Sequence, residues 1–260
     1  MFPPERIVCL TEETVETLYL LGEQDRIVGI SGYVVRPPEA RRDKPRVSAF
    51  TSARIDRILA LKPDLVLTFS DLQAGIAAEL IRQGVAVHGF NQRSVAEILA
   101  MIRMLGAMVG AGDKANRLAD GLVERLAEIR RQGARLPSQP RVYFEEWDEP
   151  MISGIGWVSE LIGIAGGIDI FADRAGEAAA RNRIVTSEAV IAARPDIILA
   201  SWCGKKVTMA KIRERPGWHA IPAIATNRLH EIKSSIILQP GPAALTDGLD
   251  AILAALRRVS

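Results

Sequence analysis

The sequence predicts an α/β protein of two Rossmann-like lobes, each with a central parallel sheet, joined by one long α-helix, with a ligand cleft between the lobes. Three observations predict this fold class. A twelve-residue phrase occurs twice, strand and helix patterns alternate around each copy, and a long amphipathic helix lies between the copies. Two similar α/β lobes predict a cleft, and small molecules commonly bind in clefts of this kind.

The repeated phrase is DRILALKPDLVL at residues 56–67, and it returns at residues 188–199 as EAVIAARPDIIL. Each copy is typical of a short helix, a turn made of a basic residue, Pro and Asp, and then a buried strand. Pro63 and Pro195 suit the turn because proline ends a helix and restricts the residue before it. A unit repeated at this distance predicts one copy in each lobe.

The other elements follow from hydrophobic periodicity and from Gly, Pro and capping signals. The first lobe, residues 1–112, has predicted strands at 6–10, 25–30, 64–69 and 85–90, helices after Thr11 and at 53–61, 72–83 and 94–109, and a loop at 36–38. Residues 113–136 are the predicted linker helix, capped by Asp113. The second lobe, residues 137–260, has further predicted strands at 141–144 and 229–232, and helices at 157–165, 211–215 and 246–257.

The composition excludes several classes of partner. The chain is 48% hydrophobic and 25% charged with a net charge of +2, and its charges are mixed, which predicts no nucleic-acid partner. No run approaches the ~20 apolar residues of a membrane span, so membrane insertion is not expected. Residues 1–6 show no basic region before an apolar run, so no export signal is expected. Either the protein stays in the cytosol, as expected if this is its native full length, or a leader was cut away and replaced by Met1. We expect a monomer.

Metal and nucleophile motifs are missing from the sequence. Cys9 and Cys203 are far apart, and His88, His219 and His230 have no partner at ligand spacing. Cys9 lies in an apolar run and is predicted to be a small core residue. Neither a bound metal nor an intrinsic cofactor is therefore expected.

An acidic run around Trp147, EEWDEP at residues 145–150, follows a predicted strand, at the edge of a parallel sheet where sites usually lie. The carboxylates could accept hydrogen bonds from ligand amides or hydroxyls, and Trp147 offers a large apolar face. The run could equally be a charged loop with a partly exposed tryptophan.

Two more aromatic residues stand at the ends of the repeated strands. Phe69 and Trp202 are candidate ligand contacts because the repeat predicts that the loops after the two strands face the cleft. The loop after Trp202 carries Lys205 and Lys206, which could meet anionic groups of a ligand or could simply be solvated.

Asp56 and Glu188 open the two repeated helices at matching places. Either residue alone fits an acid stabilised by the helix dipole at a helix N-terminus. The matched pair, one in each lobe, favours a second interpretation, in which both carboxylates dock onto an external partner.

With these motifs the chain resembles the helix-linked (class III) periplasmic substrate-binding proteins of ABC importers, the group that carries cobalamin, haem and ferric siderophores. The resemblance rests on the opening Arg6-Ile7-Val8 with Thr11-Glu12, on GISGY at 29–33 with Pro37-Pro38, on LKPDLV at 61–66, and on residues 157–167. It runs nearly from end to end, and it is greatest to the cobalamin-binding members.

The resemblance implies that Asp56 and Glu188 dock onto arginines of an ABC permease dimer. It also implies ligand contacts at Tyr33, Phe50, Phe69 and Met151 and in the loop of Asn227 and Arg228. The chain departs from the cobalamin-binding members in having phenylalanine where they have tryptophan at positions 50 and 69, no tryptophan near Asn182, Met151 in place of phenylalanine, and no aspartate near Arg228. Trp147 and Trp202 are expected to compensate for these changes.

We therefore expect a binding protein and not an enzyme, one that captures a corrinoid in the cleft and delivers it to an ABC permease in the periplasm. The alternatives are a ferric siderophore or haem as the ligand, or a cytosolic corrinoid chaperone or sensor of the same fold. An enzyme with Glu145 and Glu146 as base and acid would need split pKa values, and no nucleophile, metal cluster or cofactor loop accompanies these residues.

Overall fold

The computed structural model describes residues 3–259. The described residues exclude Met1, Phe2 and Ser260. Met1 and Phe2 belong to the stretch of residues 1–6 from which no export signal was predicted. The chain forms two compact units. The first contains the residues up to Gln92 together with Ala96–Leu122, and the second contains Arg93–Val95 and the chain from Val123 onward. Each unit holds one five-stranded sheet, as predicted for an α/β protein of two lobes.

The first unit has an all-parallel sheet in the order β3-β2-β1-β4-β5. Its strands are β1 (Ile7–Cys9), β2 (Ile27–Ser31), β3 (Arg46–Ser48), β4 (Leu65–Phe69) and β5 (Val87–Phe90), and its helices are α1 (Glu12–Leu20), α2 (Pro38–Asp43), α3 (Ile55–Ala60) and α4 (Ala74–Arg82). The loop predicted at residues 36–38 is wrong at Pro38, which begins α2. Proline is favoured there because the first N–H of a helix has no intrahelical partner.

Two helices follow β5, and the chain passes between the units within the second of them. These helices are α5 (Val95–Met108) and α6 (Gly112–Gly133). In the first unit α5 and α6 approach closely, since a Cβ on Gly106 would lie 2.1 Å from the Cβ of Ala115. Asp113 was predicted as the cap of the long helix, but α6 begins one residue earlier, so Asp113 lies in its first turn.

The second unit has a mixed sheet in the order β10-β9-β6-β7, with β8 also paired to β6. Its strands are β6 (Arg141–Asp148), β7 (Met151–Ser153), β8 (Ile168–Asp169), β9 (Ile197–Ala200) and β10 (Leu229–Glu231). Its helices are α7 (Gly156–Ile164), α8 (Ala172–Ala175), α9 (Ser187–Ala193), α10 (Met209–Arg213), α11 (Pro222–Ala225), α12 (Ser234–Ile237) and α13 (Leu249–Leu256), the last preceded by a π-helical turn at Ala244–Gly248. Only β7 runs antiparallel, in a hairpin with β6.

The repeated phrase has the same structural role in both units. Asp64 accepts hydrogen bonds from the backbone N–H groups of Glu5 and Arg6 at 2.7 and 2.9 Å, just before β1. Asp196 accepts one from the backbone N–H of Arg141 at 2.8 Å, at the first residue of β6. The aspartate of each Pro-Asp turn therefore hydrogen-bonds to the start of the neighbouring parallel strand. This shared role explains why both copies of the phrase contain an aspartate.

The arginine at each of these strand starts completes the turn. The guanidinium of Arg6 donates to the carbonyls of Leu61 and Lys62, and that of Arg141 donates to the carbonyl of Ala193 at 3.1 Å. These carbonyls lie at the ends of α3 and α9, where no intrahelical donor remains for them. No helix in residues 3–259 combines the length and the apolar character that crossing a bilayer requires.

Candidate functional site

Three aromatic residues predicted to contact a ligand lie at the carboxyl edge of the first sheet. Tyr33 and Phe50 each follow the last residue of β2 or β3 by two positions, and Phe69 is the last residue of β4. Because these strands are parallel, their carboxyl ends lie at one edge, where ligands of open α/β sheets bind. Tyr33 is 52% exposed, Phe50 is half-buried and Phe69 is buried.

The buried side chain of Gln73 hydrogen-bonds to three segments at this edge, and this role was not predicted from the sequence. The side-chain oxygen of Gln73 accepts a hydrogen bond from the backbone N–H of Phe69 at 3.0 Å. Its amide nitrogen donates to the carbonyls of Leu10 and Phe50 at 3.2 and 2.8 Å. One side chain thus connects the carboxyl ends of β1, β3 and β4. Nothing near Gln73 in the sequence signals this, because two of its partners are distant along the chain.

Two buried carboxyl groups lie in the first turn of α1, directly after β1. Burial, with the nearby carboxylates of Glu13 and Glu16, raises the pKa of Glu12 to about 8, although the backbone N–H of Val35 donates to this group. Burial raises the pKa of Glu13 to about 7, against the effect of the Thr11 hydroxyl, which donates to it at 2.6 Å. Thr11 is the N-cap residue of α1, directly before the helix as the sequence predicted, but its hydroxyl donates to Glu13 and makes no capping hydrogen bond to the helix backbone.

In the second unit, Trp147 and Trp202 lie close together with a lysine between them. The ammonium of Lys205 is 4.1 Å from the ring centroid of Trp147 and 4.9 Å from that of Trp202. Trp202 is buried and donates from its indole N–H to Glu145 at 3.1 Å, whereas Trp147 is half-buried and donates to the carbonyl of Glu149 at 3.0 Å. Lys205 therefore covers part of the Trp147 surface that the sequence offered to a ligand.

Three of the four carboxylates in the acidic run are bound by cationic side chains of the same chain. Glu145 is fully buried and binds the guanidinium of Arg215 with both oxygens, at 2.5 and 3.1 Å. Glu146 binds Arg183 in the same bidentate way, at 2.7 and 2.9 Å. Paired arginine and carboxylate groups of this geometry are strongly preorganised.

Asp148 is also bound within the chain, whereas the Glu149 side chain is exposed. Asp148 accepts from Lys205 at 2.5 Å and from Lys211 at 2.7 Å, and Lys211 lies 3.4 Å from Glu149. The prediction that the strand ends at residue 144 is wrong, since β6 continues to Asp148 and carries most of the acidic run. Glu145, Glu146 and Asp148 instead bind four cationic side chains from other segments, so a role of these three carboxylates as ligand acceptors is not supported.

Met151 and Arg228 differ in how they relate to these tryptophans. Met151 is the first residue of β7, pairs with Asp148, and packs with Trp147 against the same buried cluster as Trp202. Arg228 precedes β10, which is parallel to β9, so it lies at the amino edge of the sheet, whereas Trp202 lies just beyond its carboxyl edge. The structure therefore does not bring Arg228 together with the other candidate ligand contacts of this unit.

Asp56 and Glu188 occupy equivalent positions, one in each unit. Each is the second residue of its helix, α3 or α9, and each side chain is exposed. The side chain of Asp56 is 70% exposed, with Arg54 at 3.5 Å as its neighbour in the chain. Both carboxylates are thus accessible to a partner, as the docking interpretation requires.

The described residues hold no group of three or more His, Cys, Asp and Glu side chains suited to a metal ion. Cys9 is buried in β1 and Cys203 is exposed, and neither forms a disulfide bond. Desolvation by burial raises the pKa of the Cys9 thiol to about 12, so Cys9 behaves as a small apolar core residue.

Comparison with known proteins identifies the class. A model of the periplasmic binding protein family matches residues 7–236. The ABC transporter substrate-binding lipoprotein YvrC of Bacillus subtilis is 25% identical over 259 residues, covering 96% of this chain and 79% of that protein. The vitamin B12-binding protein of Vibrio cholerae is 27% identical over 249 residues, covering 94% of this chain and 86% of that protein.

A solved structure extends the similarity to the fold. The apo form of the periplasmic heme-binding protein RhuT from Roseiflexus sp. RS-1 matches with a TM-score of 0.83 and 26% identity, covering 97% of this chain and 99% of that one. The chain belongs to the periplasmic binding protein family. It is a substrate-binding protein of the ABC-transporter type and not an enzyme, as the resemblance predicted.

Proposed function

We propose that this protein captures a corrinoid and delivers it to an ABC permease, and that it works outside the inner membrane. The observation that carries the proposal is Tyr33, a large aromatic side chain that is 52% exposed at the carboxyl edge of the first sheet. Phe50 and Leu72 follow other strands at the same edge. An exposed aromatic and apolar edge suits a ligand with a broad, partly apolar ring.

The second unit supports the proposal in a different way. Trp147 and Met151 are half-buried at the β6–β7 hairpin, and the ammonium of Lys205 lies over Trp147. These side chains combine apolar area with donors, which suits the amide-rich rim of a corrinoid. The vitamin B12-binding protein of Vibrio cholerae, a relative that this chain covers over most of its length, adds a reason to test cobalamin first.

Haem is the second candidate ligand, and the same tyrosine favours it. A tyrosine oxygen can serve as the axial ligand of haem iron, and the Tyr33 side chain is exposed. The matching solved structure named as a heme-binding protein gives this alternative weight. A corrinoid needs only the ring of Tyr33, whereas coordinated haem needs its oxygen, so the two candidates can be separated.

Substitution of Tyr33 tests both. For a corrinoid, Tyr33→Phe should bind cyanocobalamin as the wild type does, and Tyr33→Ala should bind about fivefold more weakly, the effect of losing about 1 kcal/mol of ring contact. For haem, Tyr33→Phe should already lower the affinity and alter the absorption spectrum of the bound haem. Calorimetry and spectroscopy with cyanocobalamin, cobinamide, haem and a ferric hydroxamate would distinguish these outcomes.

Tyr19→Ala is the matched control. Tyr19 lies near the end of α1, away from the carboxyl edge where that helix begins, and it is only half-buried. Its removal should leave the affinity for every ligand unchanged. Equal losses in Tyr19→Ala and Tyr33→Ala would show that Tyr33 does not contact the ligand.

We also propose that Asp56 and Glu188 dock this protein onto the permease. The exposed, equivalent positions of the two carboxylates support this. Reversing both charges, Asp56→Lys with Glu188→Lys, should abolish stimulation of the permease ATPase while ligand affinity stays intact.

The control for docking is a second pair of exposed acids with the same local setting. Glu39 and Asp173 are each the second residue of a helix, α2 and α8, and again one lies in each unit. Glu39→Lys with Asp173→Lys should leave the stimulation unchanged. If this control pair reduces the stimulation as much as the first pair does, the change in net charge explains the effect. If the first pair of substitutions abolishes ligand affinity, Asp56 and Glu188 are ligand contacts instead.

A further inference from the structure

The turn that follows β4 contains a strained residue. Ser70 has φ +54° and ψ −177°, a backbone conformation that glycine adopts readily and other residues avoid. Such a residue persists only where its surroundings hold it, and residues of this kind concentrate at binding sites. Ser70 directly follows Phe69, one of the candidate ligand contacts.

The surroundings of Ser70 hold it from several sides. Its backbone N–H donates to the carbonyl of Phe90 at 2.7 Å, and its hydroxyl accepts from the backbone N–H of Leu72 at 3.3 Å. Gln73 ends the turn, and its buried amide binds the segments that carry Phe50 and Phe69. The turn from Ser70 to Gln73 is therefore fixed at both of its ends.

The fixed turn presents an apolar side chain to solvent. Leu72 is 55% exposed, so burial of its own side chain does not explain why the turn is held in a strained form. It lies at the same sheet edge as Tyr33, which is exposed to a similar extent. A leucine held outward on a rigid turn loses little freedom when a ligand covers it, and preorganisation of this kind raises affinity.

We propose that the turn Ser70–Gln73 is the ligand-positioning element of the first unit, in which Ser70 and Gln73 are positioning residues and Leu72 contacts the ligand. This inference rests on the proposed function, because it concerns the same sheet edge. The repeat indicates the loop after β4 but not the roles of Ser70, Leu72 and Gln73 within it.

The substitution Ser70→Gly separates positioning from a structural role. Glycine accepts the backbone conformation without strain, so the midpoint of thermal unfolding should stay the same or rise. The freed turn should nevertheless lower ligand affinity about threefold to fivefold, because glycine adds conformational freedom that binding must remove. A purely structural role predicts that affinity and stability change together or not at all.

Lys62→Gly is the matched control. Lys62 also has a positive φ, +48°, and it lies in the same unit, in the turn before Pro63 at the opposite edge of the sheet. This variant should keep its stability and its ligand affinity. The proposal is overturned if Ser70→Gly binds as tightly as Lys62→Gly does.

Leu72→Ala tests the contact itself. It should weaken binding about fivefold, the loss expected when apolar area buried by a ligand is removed. The control is Ile81→Ala on α4, because Ile81 is 59% exposed but is not at the carboxyl edge. Equal affinities of the two variants would show that Leu72 does not contact the ligand.

Amide hydrogen exchange of the ligand-free protein tests whether the turn is fixed, and this test does not require a known ligand. If Ser70 and Gln73 fix the turn, Ser70→Gly should speed amide exchange at residues 69–73 relative to Lys62→Gly, and unchanged exchange there would overturn the inference. Failure of the wild type to bind any ligand of the panel would contradict the proposed function, while the exchange result would still decide whether Ser70 holds this turn.

Discussion

Glu12 and Glu13 are buried carboxyl groups at the end of the central strand β1, and they make the stability of the protein depend on pH. In the unfolded chain these groups have an ordinary pKa of 4.5, and folding raises the values to about 8 and about 7. At a pH between the unfolded and the folded pKa values of these groups, the folded state binds more protons than the unfolded state. The free energy of unfolding should therefore fall as pH rises from about 4.5 to about 8, by at most ~1.4 kcal/mol per pH unit for each group.

The substitution Glu12→Gln checks this sign. The variant keeps the shape of the side chain but cannot ionise, so the decline in stability between pH 5 and 8 should become shallower, as measured by urea unfolding at a series of pH values. Glu39→Gln, an exposed acid on α2, should leave the slope as it is in the wild type. An unchanged slope in Glu12→Gln would show that this carboxyl is ionised in the folded protein.

The positions of single residues could be predicted where the sequence signal was local. Hydrogen bonds and ion pairs to residues far along the chain could not be predicted. The repeat correctly indicated that Phe69 and Trp202 stand at the ends of equivalent strands. The acids at 145–148 look like free acceptors in the sequence because their partners, Arg183, Lys205, Lys211 and Arg215, lie far along the chain. No local pattern reports such pairs, and the same holds for Gln73.

At the scale of elements, the end of α6 depends on two glycines. A Cβ on Gly133 would lie 2.6 to 2.8 Å from the backbone of Ala165 and Gly166, and Gly166 itself has φ +93°. The end of α6 therefore touches the turn after α7 through backbone alone. This contact fixes the half of the long helix that belongs to the second unit.

Gly133→Ala should destabilise the second unit by about 1–3 kcal/mol because the added methyl group forces the two backbones apart. Gly163→Ala, in α7 of the same unit and with open space around it, should stabilise that unit by about 0.5–1 kcal/mol. All four tryptophans of the chain lie at or beyond residue 147, so their fluorescence during urea unfolding reports the second unit. Similar stability of the two variants would mean that α6 can move away from the turn without loss.

Most elements could be predicted because their signals are periodic and local, and the exceptions have physical reasons. β3 has three residues with only Val47 buried, too short for an alternation to be visible. α2 was missed because it is short and polar, and only its first residue, Pro38, falls in the predicted loop. The hairpin of β6 and β7 was missed because the acids of residues 145–148 argue against a strand, and only their distant cationic partners make a strand possible there.

For the whole molecule, the repeated phrase was enough to predict two α/β units with parallel strands. In each unit the aspartate of the phrase hydrogen-bonds to the start of the neighbouring parallel strand, β1 in the first unit and β6 in the second. The identity of the ligand could not be predicted in this way. It depends on side chains from several segments at the sheet edges, and the candidate contacts there differ from those of the cobalamin-binding members. The linker boundaries at 113 and 136 stay a prediction.

Calorimetric titration of the wild-type protein with cyanocobalamin measures directly whether the protein binds a corrinoid. If the protein captures corrinoids, one molecule should bind per chain with a dissociation constant at or below about 1 μM, equivalent to a binding free energy of about 8 kcal/mol in magnitude. Tight binding of haem with no binding of cyanocobalamin or cobinamide would contradict the corrinoid assignment, and no heat with any ligand of the panel would contradict the proposal as a whole.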